Sequence, residues 1–233
     1  METEGPTSPR RLDVEVPAGH VRVPGILTLP PRSVGMVVFA HGSGSGRLSP
    51  RNNAVADVLH RAGFGTLLID LLTAGEERED LITRRLRFNI PLLAGRVIGA
   101  IDWLAAEALA GDLPPDIQHL PLGCFGASTG AAAALVAAAE RPDRVAAVVS
   151  RSGRPDLAGE ALPRVTAPTL LIVGSMDPEV LRLNRQAQAA LGGVSRLEIV
   201  PGASHMFEEP GTLERAAVLT RDWFHEHLVA SDR

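Results

Sequence analysis

The residues best suited to chemistry lie in the run Leu120–Ala139, L-P-L-G-C-F-G-A-S-T-G-A-A-A-A-L-V-A-A-A. Gly126, Ser128 and Gly130 make a G-x-S-x-G pattern, entered by the apolar stretch Leu120–Phe125 and left by an alanine-rich one. That places the serine at a strand–turn–helix junction, the setting that gives the pattern its meaning. A serine on a sharp turn holds its Oγ clear of the backbone. Side chains two positions to either side would collide with the neighbouring strand and helix, so glycine is needed there, and Ala127 keeps the turn narrow. A helix beginning near Thr129 would aim unpaired N–H groups and the positive end of its dipole at the serine. The pattern fits a nucleophile for acyl transfer. The alternative is a glycine-rich turn whose serine only caps the helix.

A serine nucleophile needs a base, an orienting acid and donors for an oxyanion. In open parallel sheets, functional groups gather beyond the carboxyl ends of the strands. Asp177 follows the apolar run Pro168–Val173, and His205 follows Arg196–Val200. Ser128, Asp177 and His205 therefore belong at one edge, in the chain order of the nucleophile-elbow hydrolases. Asp177 before Pro178 has a competing role as a helix cap, and Asp156 and Glu179 are competing acids. His20, His60, His119, His225 and His227 read as structural or surface residues.

The loop His41-Gly42-Ser43-Gly44-Ser45-Gly46 follows another apolar run, and its glycines let backbone approach a ligand closely. The oxyanion donors are expected to be the backbone N–H groups of Thr129 and Ser43, with Gly44 as the alternative to Ser43. His41, Gly42, Gly44 and Arg51 are the candidate substrate contacts. Arg51, Arg151 and Arg154 follow strands at the same edge and would attract an acidic substrate; capping and solvation account for them as well.

The elements that must position these residues alternate along the chain. Leu12–Val16 and Val21–Leu29, joined by the turn Pro17–His20, form an antiparallel hairpin. Gly35–Ala40 is continuously apolar, as a central parallel strand should be, and Thr66–Asp70 is the next buried strand. Ser49 and Pro50 open a helix as N-cap and first residue. The charged stretch Thr73–Asn89 reads as a surface excursion, partly helical, that could overhang the carboxyl edge of the sheet; a solvated loop without a role is the alternative. Pro91–Leu109 is a helix with Val97, Ile101 and Leu104 at core spacing. Arg144–Val149 is a strand followed by a short polar loop, Ser150–Ala167 being too short for a large cap domain. Glu179–Leu191 is a helix closed by Gly192-Gly193, and Thr212–Leu228 is the last helix, with Thr212 as its N-cap. The result is an α/β fold with a doubly wound, mostly parallel sheet and an antiparallel start. Residues 1–10 are expected to be a flexible N-terminus and 11–233 a single domain.

Composition narrows the chemistry. All 23 basic residues other than histidine are arginine, and the chain has no lysine and no tyrosine. Schiff-base catalysis, a phosphate-loop lysine and a Tyr/Lys base pair are excluded. A net charge of −4 argues against nucleic acid or an anionic membrane as the main partner. With 233 residues and 45% of them hydrophobic there is material for a two-sided core, and mean hydropathy is +0.11. The single cysteine, Cys124, permits no intrachain disulfide, which fits a reducing cytoplasm, and the polar N-terminus shows no secretory signal. The expected partner is a small-molecule ester, with no cofactor or metal, in a cytoplasmic monomer or homodimer.

The set H-G-S-G-S-G, G-A-S-T-G, V-G-S-M-D and P-G-A-S-H, in that order over nearly the whole chain, resembles the α/β-hydrolase superfamily and most closely its small dienelactone-hydrolase-like branch. The resemblance implies a Ser128/His205/Asp177 triad and a serine esterase without a large cap. Dienelactone hydrolases proper carry cysteine at the elbow; here that position is Ser128, and Cys124 lies in the strand leading to it. The expected reaction is ester cleavage through an acyl-enzyme, with thioester, lactone or amide as alternative substrates and a non-catalytic binding protein as the alternative role. A dinucleotide site is the remaining rival, because Gly42-x-Gly44 follows a strand and Asp70 ends the next one. Arg47 at the third glycine position and the unexplained serine turn argue against it.

Overall fold

A computed structural model describes residues 8–110, 113, 117 and 119–229. Eight strands, β1 (Arg10–Ala18), β2 (Val21–Leu29), β3 (Gly35–Ala40), β4 (Phe64–Ile69), β5 (Leu122–Ala127), β6 (Val145–Arg151), β7 (Thr169–Gly174) and β8 (Ser195–Val200), form one sheet in the order β1-β2-β4-β3-β5-β6-β7-β8. β1 and β2 are antiparallel, β2 meets β4 antiparallel, and every later pairing is parallel. The expected hairpin thus joins the sheet through β4 rather than β3. β3, β4, β5 and β7 are buried at every position, which is why they read as unbroken apolar runs.

Strand alternation splits those runs between two layers. Met36, Val38, Cys124 and Val148 face one side, against α3 (Ile90–Ala110) and α4 (Thr129–Glu140). Val37, Phe39, Phe125 and Val149 face the other, against α1 (Pro50–Arg61) and α6 (Thr212–Leu228). Val97, Ile101 and Leu104 are buried in the first layer as their spacing requires. The alanines of α4 are what let a helix sit directly over the sheet centre: Ala131 to Ala134 are all fully buried. The remaining helices are α2 (Ala74–Thr83) and α5 (Pro178–Ala190). No helix among the described residues is long and apolar enough to cross a membrane.

Several boundaries differ from expectation. Residues 1–7 lie outside the described residues, and Arg10, within the stretch expected to be a flexible N-terminus, belongs to β1. β5 starts at Leu122 and runs through Ala127, two residues later at both ends than its apolar run suggests. Thr212 is not a cap: Gly211, in the left-handed region at φ 81°, holds that position, and the Thr212 hydroxyl donates to the Glu209 carbonyl. The stretch Ser150–Ala167 is not a polar loop. It contains a 3-10 segment, Pro155–Arg164, whose Pro155, Ala158, Ala161 and Leu162 are buried, and it packs on α4 and α5.

Candidate active site

Ser128 adopts φ 50° and ψ −122°, a conformation that costs a side-chain-bearing residue energy and persists only when its surroundings enforce it. The enforcement is visible. A Cβ on Gly126 would stand 2.4 Å from Ala131 Cα, and one on Gly130 would stand 2.2 Å from the Ala40 carbonyl oxygen. The Ser128 N–H donates to the Arg151 carbonyl at 3.2 Å, and its own carbonyl accepts from Ala131 and Arg154 at 3.1 and 3.0 Å. The serine side chain makes no capping bond to α4, so capping is not its role.

Asp177 stands at the N-cap position of α5 and likewise makes no capping bond. Its Oδ2 instead lies 2.6 Å from His205 Nδ1. Close crossing of the two loops brings the pair together. A Cβ on Gly174 would reach within 2.2 Å of the Ala203 carbonyl, Met176 N–H donates to that same carbonyl at 3.0 Å, and Gly202 N–H donates to Ser175 Oγ at 2.8 Å. The other flank of the histidine loop is fixed by Ser152, whose hydroxyl donates to the His205 carbonyl at 2.7 Å. Both Ser152 and the buried Phe207 take positive φ, 45° and 56°. With Ser128, they place three of the four non-glycine residues of that kind among the described residues around one point.

Ser128 and His205 line a cavity of about 110 Å³ with Gly42, Ser43, Asn52, Arg151 and other residues. Among the described residues no hydrogen bond joins Ser128 Oγ to the imidazole; such contacts commonly tighten only when substrate is bound. The backbone N–H groups of Thr129 and Ser43 have no acceptor among the described residues. Their hydroxyls lie 3.1 Å apart, holding the two residues side by side. Two free donors beside a candidate nucleophile can receive a developing oxyanion.

A second cavity, about 550 Å³, opens between the His41–Arg51 loop and α2. Gly42, Ser43 and Arg51 border both cavities, while Gly44, at φ 66°, borders only the larger. The charged excursion does overhang the edge: Glu77, Asp80 and Leu81 of α2 form part of this wall. A capping box between Thr73 and Glu76 starts α2, and Glu76 binds Arg96 at 2.7 Å while Arg96 donates to the Ala18 carbonyl at 2.8 Å. Asp80 closes onto Arg87 at 2.7 Å.

His41 borders the larger cavity, but both of its ring nitrogens are engaged by the backbone. Its Nε2 accepts the Leu71 N–H at 2.9 Å, so the ring is neutral and Nδ1 donates to the Gly42 carbonyl at 2.8 Å. Both nitrogens are used to shape the loop, and burial lowers the pKa of the ring. Arg154 is also not available: it forms a two-pronged pair with Asp156 and borders neither cavity. That pairing removes Asp156 as a competing acid, and Glu179 is engaged by Arg182 at the surface. Asp70 accepts the Arg47 N–H at 2.7 Å and pairs with the Arg47 guanidinium, which commits the acid that a dinucleotide site would need. Cys124 is buried in the core, and burial pushes its thiol up to about 12.

Ser152, Asn52 and Phe207 were not evident as site residues in the sequence. The only signal was that Ser152 follows a strand end, in company with Arg151.

No family model matches the chain. Over 216 residues it is 57% identical to a protein of Mycobacterium tuberculosis that bears a provisional phosphoribosyl transferase name; the match covers 93% of this chain and 46% of that protein. The chain thus spans about half the length of the curated relatives it matches. Among solved structures, a dienelactone hydrolase from Anabaena variabilis is 56% identical with a TM-score of 0.88, over 94% of this chain and 99% of that one. Est1E from Butyrivibrio proteoclasticus is 16% identical with a TM-score of 0.72, over 92% of this chain and 98% of that one, a likeness of fold alone.

Proposed function

The chain belongs to the dienelactone hydrolase family, and from that premise we propose that it is a serine hydrolase cleaving carboxylic esters of small or accessible acyl groups. The observation that carries the reading is the Asp177–His205 bond of 2.6 Å beside a serine held in a strained turn at the same cavity.

Ser128 Oγ attacks the ester carbonyl as His205 Nε2 takes its proton. Asp177 accepts the Nδ1–H, fixes the tautomer and stabilises the imidazolium. The carbonyl oxygen, now an oxyanion, receives the N–H groups of Thr129 and Ser43. The imidazolium returns its proton to the leaving alcohol, and water, deprotonated by the same histidine, releases the acid from the acyl-enzyme. One side of the substrate extends into the cavity of about 550 Å³ under α2. A thioester, amide or lactone would follow the same steps; the name of the Anabaena relative favours the lactone among these. The transferase name attaches to a protein of which this chain matches 46%, and the hydrolase reading is assigned to that part alone.

Mass spectrometry after exposure to a fluorophosphonate tests the reading. The expected result is one adduct, on Ser128, absent from His205→Ala. No adduct, or one elsewhere, overturns it.

A further inference from the structure

Four arginines border the two cavities, and two of them are neutralised: Arg87 has an Asp80 carboxylate oxygen at 2.7 Å and Arg47 is paired with Asp70. Arg151 differs. It ends β6 with 5% of its surface exposed, and no carboxylate pairs with it among the described residues. Its Nη2 reaches Asn52 Oδ1 only at 3.4 Å, its Nε is buried without a partner, and the Phe207 ring centroid lies 5.7 Å from the guanidinium carbon. A buried cation left in this state is costly unless something else completes it. Arg151 lines the smaller cavity, so the completing group can arrive there.

The same cavity wall contains the start of α1, a helix of 12 residues, through Ser49, Arg51 and Asn52. Pro50 has no N–H to offer, the Arg51 N–H has no acceptor among the described residues, and the Asn52 N–H is held only by Ser49 Oγ at 3.4 Å. The Arg51 side chain approaches one carboxylate, the exposed Glu208, at 3.9 Å. Burial and the charge of Arg51 together bring the Arg151 pKa down to about 10, so Arg151 is harder to keep charged without an anion beside it.

We propose that this cavity is a phosphate subsite, held by Arg151, Arg51 and the N-terminus of α1, and that the ester cleaved at Ser128 carries a phosphate group. Two arginines and a helix end line one cavity, a donor set that suits a tetrahedral dianion with three free oxygens. A planar carboxylate has one charge and two oxygens, and leaves part of the array unmatched. The cavity of about 110 Å³ then holds the anionic group beside the ester carbonyl at Ser128, and the rest of the substrate passes over Gly42 and Ser43 into the larger cavity. The substrate assignment rests on the hydrolase reading; the anion site does not.

Calorimetric titration of the full chain with inorganic phosphate tests the subsite without turnover. Wild type should bind, Arg51→Gln and Arg151→Met should each weaken binding by about tenfold or more, and acetate should bind wild type at least about tenfold more weakly than phosphate. Arg51→Gln, on the partly exposed first turn of α1, carries the test by itself should Arg151→Met fail to fold. Absence of phosphate binding, binding unchanged in Arg51→Gln, or acetate binding as tightly as phosphate overturns the proposal. In parallel, phosphate should compete with p-nitrophenyl acetate hydrolysis. Hydrolysis without phosphate binding sinks the subsite and leaves the hydrolase reading standing. Arginine-dependent phosphate binding by a chain that hydrolyses no ester does the reverse.

Discussion

Gly42 lies against the nucleophile candidate: a Cβ placed on it would fall 2.9 Å from Ser128 Cβ and 3.2 Å from the Ala127 carbonyl oxygen. The glycine is therefore what allows the next N–H, that of Ser43, to stand beside the serine. Gly42→Ala should push the loop away and withdraw one oxyanion donor. The expected effect is a loss of about 10²-fold in kcat with a much smaller change in KM. Steady-state kinetics on a short-chain ester reads it, and a kcat within about threefold of wild type would separate Ser43 from the oxyanion.

Asp177 spends its carboxylate on His205 rather than on the helix it precedes. Asp177→Asn should preserve the loop but leave the imidazole in the wrong tautomer, lowering kcat by about three to four orders of magnitude. Asp156→Asn is the control, because Asp156 is paired with Arg154 away from both cavities. Its rate should stay within about twofold of wild type, as for other substitutions outside the site. Equal losses in the two variants would dissolve the assignment of the acid.

Much of this arrangement was legible because it depends on residue type at strand ends. The glycines flanking Ser128 announced the turn, and unbroken apolar runs announced strands covered on both faces. What was hidden depends on direction and burial. His41 sits at a strand end like the other candidates, yet its ring turns back to Leu71, and no local pattern encodes that contact at a separation of 30 residues. Arg151 reads as one of three arginines at the active edge, and nothing in its neighbours announces that it is buried against the Phe207 ring. Ser49 and Pro50 open α1 as expected, but one helix start failed: Thr212 has the type of a cap, and Gly211 alone tolerates the left-handed turn that the chain makes there.

The one cysteine supplies a third check. Cys124 is fully buried and its thiol is pushed up to about 12 by burial, so almost no thiolate exists near neutral pH. Native protein should therefore resist a disulfide-exchange reagent, and denatured protein should react with one equivalent. Rapid native labelling, or loss of ester hydrolysis on labelling, would place a reactive thiol at the site and challenge Ser128 as the nucleophile.

His41 gives a prediction about stability and its sign. The ring must stay neutral because Nε2 accepts the Leu71 N–H, and burial lowers its pKa below the ordinary value of 6.5. As pH falls below about 6.5 the unfolded chain gains a proton that the folded chain refuses, so stability declines with acidification. The slope from one such group reaches at most about 1.4 kcal/mol per pH unit, until the lowered folded pKa is passed. His60 and His227 are also lowered by burial and act in the same direction, so wild type alone does not isolate His41. The difference between wild type and His41→Gln does. The variant should be less stable at pH 8, having lost the fitted bonds to Leu71 and Gly42, and its stability should fall less steeply between pH 6.5 and 5. Urea unfolding at a series of pH values reads both quantities. Parallel curves for the two proteins would mean that His41 takes up its proton in the folded state, and with it that the loop beside Ser128 is not held by a neutral ring.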